Sequence, residues 1–321
     1  MKKQKWLLIG VGVAVLVGFL FRVLFEISFF RSFTSSMSIG FLFGVPFIMG
    51  FITIFFAEKK ELNNVPFSIF RPWLSIFGLL VITLLLNTEG WACWIMALPV
   101  FLASASLGGY FAHKYREWTN NRNNGIQVSL IVLIPFMIVP LENIAGSSST
   151  TYKAYTEIEI HASKEQIWGN VTRVRAIKQK QDSAYFTRFL GFPRPIQAVL
   201  DTEAVGGKRK AIFDKGLIFD EQVTAYEPFK LMTFTIHANP YTIPSTTMDK
   251  HIVIGGEYFD VLNGTYILEP EGNGLYKLRL YSNFKLHTTF NFYAHIWAVW
   301  IMRDIQQNIL KVIKDRSESN T

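Results

Sequence analysis

The amino-acid sequence predicts a chain in two parts, an all-α bundle of transmembrane helices followed by an α+β domain. Three observations predict this division. Most of the long apolar runs fall within residues 1–145. Residues 275–287 alternate between apolar and polar side chains, which is typical of a strand with one buried face. Large apolar residues recur at helical spacing over residues 290–316, so a long helix must lie against that face.

Composition narrows the class of protein. The chain has 321 residues, of which 50% are hydrophobic, and a net charge of +8. Residues 1–145 hold 11 basic and 6 acidic side chains, and the rest of the chain holds 21 and 18, so the charge excess flanks the apolar runs. A nucleic-acid partner is disfavoured because the basic residues form no stripe interleaved with aromatic rings. The single cysteine, Cys93, excludes a disulfide within one chain.

The apolar runs predict an integral membrane protein with about five spans. An uncleaved first span is favoured over a signal peptide because no small-residue cleavage site follows it. Small residues in the fourth run, Gly108 and Gly109 among them, indicate close helix packing and not a pore. Arg22 and Glu26 are four apart, which predicts a local ion pair. The expected spans cover residues 6–30, 38–57, 73–86, 91–112 and 126–144.

The charges between these runs predict the orientation in a cytoplasmic membrane. The loops that follow the first and third runs hold a single basic residue, Arg31. Basic residues concentrate on the cytoplasmic side of membrane proteins, so the N-terminus is expected inside. Five spans then place everything after residue 145 outside the cytoplasm. The opposite set of loops holds nine basic residues: Lys2, Lys3, Lys5, Lys59, Lys60, Arg71, Lys114, Arg116 and Arg122.

The second half begins after a short polar linker at residues 146–151. Tyr155 to Ala162 alternates as a strand, and a capping box of Ser163 and Gln166 opens a short helix. Residues 175–196 are expected to form helical turns and a loop. A two-residue turn at Gly206-Gly207 is expected to join the next two strands. The further strands are expected at residues 196–205, 208–213, 217–226, 231–238, 259–268 and 275–287, with a long loop at 239–257.

Three segments of this half resemble bacterial members of the START-like superfamily, which includes polyketide cyclase/dehydrase-like and lipid-transport domains. They are FDEQVTAYEP at 219–228, GGEYFDV at 255–261 and MRDIQQNI at 302–309. The resemblance covers residues 152–316, leaving 317–321 as a tail, and it does not extend to the membrane half. It implies a bacterial protein with a helix-grip fold, in which a curved antiparallel sheet and the C-terminal helix enclose an apolar cavity.

The candidate ligand-binding residues are the large apolar side chains expected between the last strands and the helix. The same alternation would also arise from a solidly packed core, and at helical spacing aromatic residues belong to a core first. Whether a ligand lies between them is left open by the pattern. These residues are Phe219, Phe259, Leu278, Leu280, Phe284, Tyr293, Trp297, Trp300 and Ile301.

The candidate catalytic residues are Glu221, Asp260 and His251, which could act as acid or base at a cavity rim. The alternative for each is a solvent-facing or salt-bridged side chain. The histidines show no metal-binding spacing, and no nucleophile or phosphate-binding motif occurs, so neither a metal nor a cofactor is expected.

The absence of a catalytic motif favours a binding module over an enzyme. The first hypothesis is therefore a membrane-anchored domain that binds a membrane lipid or another apolar small molecule. A cyclase- or hydrolase-type enzyme is the second hypothesis, and a ligand-sensing module is the third. A fold of this kind hosts all three, so the resemblance does not choose among them.

Overall fold

The computed structural model describes residues 2–26, 38–58, 65–119, 148–238 and 254–319. The chain divides into two compact units. The first is Met1–Ser148 with Thr288–Phe290, and the second is Ser149–His287 with Asn291–Thr321. Each unit is described by itself.

The first unit consists of helices. Three helical stretches, Leu8–Phe25, Val65–Leu85 and Trp91–Thr119, are long and apolar enough to cross a membrane, and Gly40–Phe55 is a shorter apolar helix. The apolar helical stretch at the third expected span begins at Val65, and the expected start of that span at residue 73 stays a prediction. The fifth expected span, 126–144, lies outside the described residues, so the count of five stays a prediction. The helices are α1 (Lys2–Glu26), a π-helical turn (Gly40–Gly44), α2 (Val45–Phe55), α3 (Val65–Phe70), α4 (Trp73–Leu85) and α5 (Trp91–Thr119).

Close packing of α2 against α5 depends on glycine. A Cβ added to Gly108 would lie 1.9 Å from the carbonyl oxygen of Phe47, and one added to Gly50 would lie 2.0 Å from that of Ala105. The two backbones are therefore in direct contact, as the small residues predicted. An ion pair joins the buried Arg22 of α1 to the partly exposed Glu89, which follows α4. The side chain of Glu26, the predicted partner, lies outside the described residues.

The second unit is a seven-stranded antiparallel sheet with the order β1-β7-β6-β5-β4-β3-β2. A long C-terminal helix and this curved sheet form a helix-grip arrangement. Strand β1 begins at Ser148, inside the linker expected at 146–151. The strands are β1 (Ser148–His161), β2 (Pro195–Leu200), β3 (Lys208–Phe213), β4 (Ile218–Glu227), β5 (Leu231–Ala238), β6 (Phe259–Gly272) and β7 (Leu275–Thr288). The helices are α6 (Lys164–Thr172), α7 (Tyr185–Phe189) and α8 (Asn291–Glu318).

Local signals in this unit are largely confirmed. The Ser163 hydroxyl accepts a hydrogen bond of 3.3 Å from the Gln166 amide, and the Gln166 side chain accepts one of 3.1 Å from Ser163. The predicted two-residue hairpin turn is wrong. Strand β2 ends at Leu200, and Gly206 and Gly207 instead form backbone hydrogen bonds of 2.8 Å with Val223 of β4. The two glycines therefore pair with β4 and do not form a two-residue turn between β2 and β3.

Strand β7 alternates as predicted. Its even-numbered residues from Leu278 to Leu286 are buried, whereas the odd-numbered residues between them are at least partly exposed. The buried face includes Ser282, the one polar side chain in that run. Helix α8 covers this side of the sheet, and its buried residues include Ile301 and Leu310. A one-sided sheet under a single long helix follows from these two patterns.

Candidate functional site

A cavity of about 100 Å³ lies between the inner face of the sheet and the middle of α8. Its walls are mainly apolar. Helix α8 contributes Met302, Ile305, Gln306 and Ile309, and the chain before β3 contributes Val174, Ile177, Phe192, Pro193, Pro195, Gln197 and Ala198. The remaining wall is formed chiefly by Arg209, Ala211, Ile212, Phe213, Leu217, Phe219, Glu221, Phe234, Ile236, Ile254, Val261, Tyr266, Leu280 and Ser282.

An ion pair between Arg209 and Glu221 supplies the charged part of this wall. The two residues are register partners on β3 and β4, and their side chains are only 5% and 3% exposed. The Arg209 guanidinium also lies 5.0 Å from the centre of the Phe234 ring. That ring occupies space left by Gly264, where an added Cβ would lie 2.6 Å from it.

Burial governs the titration of this cluster. It raises the pKa of the Glu221 carboxyl, an effect that the charge of Arg209 opposes. Burial also acts to lower the pKa of Arg209, but Glu221 and the neighbouring Tyr266 more than offset this, so the guanidinium stays charged. Among the described residues, the Arg209 Nε has no hydrogen-bond partner. Arg209, a residue of the cavity wall, therefore carries a buried donor without a partner in the described part of the chain.

A second polar contact fixes α8 to the sheet beside the cavity. The Gln306 amide donates a hydrogen bond of 3.1 Å to the Ser282 hydroxyl, and its oxygen accepts one of 3.2 Å from Thr156. All three side chains are buried. Because the oxygen and the nitrogen of the Gln306 side-chain amide each have a partner, this contact holds the helix in place.

The structure divides the candidate ligand-binding residues. Phe219 and Leu280 lie in the cavity wall. Leu278, Phe284 and Ile301 are buried but lie outside that wall, and the half-buried Phe259 packs its ring 5.8 Å from Phe284.

The first turns of α8, with Tyr293, Trp297 and Trp300, lie outside the wall of this cavity. Trp297 stacks on Phe186 of α7 with ring centres 6.2 Å apart, and Tyr293 packs against Trp297. Trp300 is 53% exposed. Helix α7 thus covers this part of α8, and the cavity lies further along the helix, from Met302 to Ile309.

The candidate catalytic residues also separate. Glu221 lies in the cavity wall and is salt-bridged to Arg209. Of its two alternatives, the solvent-facing side chain is excluded and the salt-bridged one is present. Asp260 is half-buried outside the cavity wall. Burial raises the pKa of its carboxyl, whereas a backbone hydrogen bond at Val261 and the charges of His237 and Lys285 act to lower it. His251 lies outside the described residues. Within the described part of the chain, no group of three or more His, Cys, Asp or Glu side chains could hold a metal ion.

Sequence reasoning missed Arg209. Lysines flank it on both sides in the KRKAIF segment, which reads as a solvated strand end. The available signal was its phase, because Arg209 shares a strand face with Ala211 and Phe213, and alternate residues of a strand face the same side. Tyr266 was missed for a different reason: a bulge near Val261 and Asn263 shifts the pairing of β6 with β7.

Comparison with known proteins found no matching family model and no matching curated protein. Several solved structures resemble about half of this chain. Norcoclaurine synthase from Thalictrum flavum, in complex with dopamine and hydroxybenzaldehyde, is 14% identical with a TM-score of 0.33, over 54% of this chain and 90% of that one. The Zhui aromatase/cyclase from Streptomyces sp. R1128 is 11% identical with a TM-score of 0.34, over 53% and 96%. The Aha1 protein from Colwellia psychrerythraea is 20% identical with a TM-score of 0.29, over 52% and 96%.

Likenesses this distant carry no argument about ligand or chemistry. The fold follows instead from the strand order, the burial of one sheet face and the long helix packed on it. By that arrangement, the second unit of this chain has the helix-grip fold that the sequence predicted.

Proposed function

We propose that the second unit binds a compact, mainly apolar molecule that carries a hydrogen-bond acceptor. The observation that supports this is the unsatisfied Nε of Arg209 in a largely apolar cavity wall. A buried donor without a partner costs about 1–3 kcal/mol. A ligand oxygen placed beside Arg209 would recover that cost, while the apolar walls would take up the rest of the molecule.

The volume of the cavity limits the size of the ligand that it can hold. Sites for drug-sized ligands measure about 300–1,000 Å³, and this cavity measures about 100 Å³. That space suits a molecule near the size of benzene or the end of a lipid chain. A complete lipid would require α8 to move away from the sheet. We therefore favour a small molecule over a whole lipid as the bound species.

We also propose that residues 1–145 anchor this domain in a bacterial cytoplasmic membrane, with residues 152–316 on the outer side. Three helices of sufficient length and apolarity support the anchor, and the alternating loop charges support the orientation. An anchor would keep the domain close to apolar molecules dissolved in the bilayer. Protease treatment of intact cells that lack an outer barrier tests the orientation. Protection of the domain would place it in the cytoplasm.

The binding proposal is tested with two probes of similar size, benzoate and toluene, on the full chain in lipid nanodiscs. Calorimetric titration should show tighter binding of benzoate, because only benzoate offers an acceptor to Arg209. Ala211→Leu should abolish binding by filling the cavity, since Ala211 lies in its wall. The control is Lys210→Leu, which changes the neighbouring, 68% exposed side chain.

Equal affinity for benzoate and toluene would refute the role of Arg209. Unchanged binding in Ala211→Leu would refute the cavity as the site. Native mass spectrometry of the gently purified chain complements the titration by weighing any molecule that co-purifies. Absence of such a molecule, together with no binding of either probe, would overturn the proposed function.

Glu221 supports a second candidate function, an enzyme that uses this carboxyl as acid or base. It is buried beside an apolar cavity, and burial raises its pKa, as is common for catalytic carboxyls. The two functions differ in what Glu221→Gln does to the bound molecule. A binding domain would carry the same molecule in both proteins, whereas an enzyme would retain unconverted substrate only in the variant. Mass spectrometry of the two preparations distinguishes them.

A further inference from the structure

Large apolar side chains are exposed on the outer surfaces of α7 and of the first turns of α8. On α7, Tyr185 is 78% and Phe189 58% exposed. On α8, Phe292 is 60%, Ile296 39% and Trp300 53% exposed. We call these five residues the aromatic face. It belongs to no part of the cavity, whose helical wall begins at Met302.

The five residues lie on adjoining surfaces. Phe292, Ile296 and Trp300 are spaced by four and therefore form one stripe of α8. Tyr185 and Phe189 are likewise four apart on α7. Helix α7 lies against that part of α8, because the ring of Phe186 is 6.3 Å from that of Trp300. The Thr187 hydroxyl also donates a hydrogen bond of 2.7 Å to Asp304.

The exposed charges beside the aromatic face are mainly positive. Two arginines, Arg188 and Arg303, lie on α7 and α8, whereas the acidic Asp304, one turn beyond Trp300, is half-buried and accepts the hydrogen bond from Thr187. Both arginines are exposed. The Arg188 guanidinium lies 5.3 Å from the centre of the Tyr185 ring, so a positive charge borders the apolar surface directly. Such a surface complements an anionic one.

We propose that the aromatic face docks the second unit onto the surface of an anionic lipid bilayer. Contiguous exposed apolar surface on a folded domain marks an interaction site. Tryptophan and tyrosine favour the membrane interface, where their apolar rings and polar atoms are both accommodated. The arginines attract anionic headgroups. The same chain carries helices long enough to cross a membrane, so a lipid bilayer is the partner that we favour.

Fluorescence of the full chain in liposomes tests this docking. A nitrobenzoxadiazole label is attached at Ile296→Cys, in a Cys93→Ser background, and the vesicles contain phosphatidylglycerol and a nitroxide-labelled lipid. The label should emit at shorter wavelength and be quenched by the nitroxide. The matched control is a label at Lys230→Cys, on the turn between β4 and β5, where the native side chain is 68% exposed. It should remain unquenched.

Substitution of the two arginines tests the docking independently, because it leaves the apolar residues unchanged. Each arginine near an anionic surface contributes about fivefold to binding. Arg188→Glu and Arg303→Glu should therefore each reduce quenching at residue 296, as should vesicles without phosphatidylglycerol. Equal behaviour of the labels at 296 and 230 would overturn the proposal. A blue shift without nitroxide quenching would also overturn it, because a protein surface, such as a second copy, would then cover the face. Neither outcome depends on whether the cavity binds benzoate.

Discussion

Arg209 and Glu221 face each other across β3 and β4 on the inner side of the sheet. One residue along, Lys210 and Asp220 face each other on the outer side. The inner pair is 5% and 3% exposed, and the outer pair is 68% and 70% exposed. Two ion pairs on the same two strands therefore experience opposite surroundings. The exposed pair therefore serves as the control when the contribution of the buried pair to stability is measured.

Removing one member of the buried pair should be costly. In Glu221→Ala, Arg209 remains buried without its counter-charge, and the expected loss of stability is about 3–5 kcal/mol. In Asp220→Ala, solvent screens the remaining lysine, and the expected loss is below about 1 kcal/mol. Hydrogen exchange of the amides in β3 and β4, measured on the full chain, gives the free energy of local opening for both variants. Similar losses in the two would contradict the burial argument.

Gly264 should tolerate no side chain, because its missing Cβ makes room for the Phe234 ring. Gly264→Ala should displace that ring and with it the guanidinium above it, costing about 1–3 kcal/mol. Gly169 on α6 has no atom within 4 Å of an added Cβ. Gly169→Ala should be neutral or stabilise the helix by up to about 1 kcal/mol. Thermal unfolding of the two variants provides the comparison, and equal shifts would argue against the steric role of Gly264.

Glu203 should make the second unit sensitive to acid. Burial acts to raise the pKa of its carboxyl, but hydrogen bonds from Tyr226 and Arg173 hold it below the ordinary value of 4.5. A lowered pKa in the folded state stabilises the fold above pH 4.5, and that contribution is lost as the pH falls through the folded value.

The comparison uses Glu203→Gln, which cannot titrate. From about pH 5 down to about pH 3, the unfolding temperature should fall further in the wild type than in this variant. Glu165→Gln, which alters an exposed carboxylate on α6, should follow the wild type. Parallel pH profiles for wild type and Glu203→Gln would show that this carboxyl does not contribute.

Gly108 should be essential to the contact between α2 and α5. An added Cβ would lie 1.9 Å from a backbone oxygen of α2, which no side-chain rotation can relieve. Gly108→Ala should therefore push the helices apart and destabilise the first unit by about 1–3 kcal/mol. Gly12→Ala is the control, since no atom lies within 4 Å of its Cβ. Unfolding in detergent, followed by circular dichroism, should show a lower midpoint only for Gly108→Ala.

The sequence by itself determined the elements whose burial repeats locally. Strand β7 alternates because one of its faces is buried, and the stripe on α8 recurs because one side of the helix is covered. The capping box at Ser163 needs residues only three apart. Each of these signals lies within a few neighbouring residues, so no knowledge of the rest of the fold was required.

Only the tertiary structure decided where the cavity lies and what charge it holds. The pairing of Arg209 with Glu221 depends on the register between two strands. The cavity is lined by Met302 to Ile309 and not by Trp297 and Trp300, because α7 packs against the first turns of α8. A periodic pattern shows that a helix face is apolar, but the same pattern fits a partner helix, a cavity wall or a lipid surface. Long-range packing selects among these, and it is not encoded in local spacing.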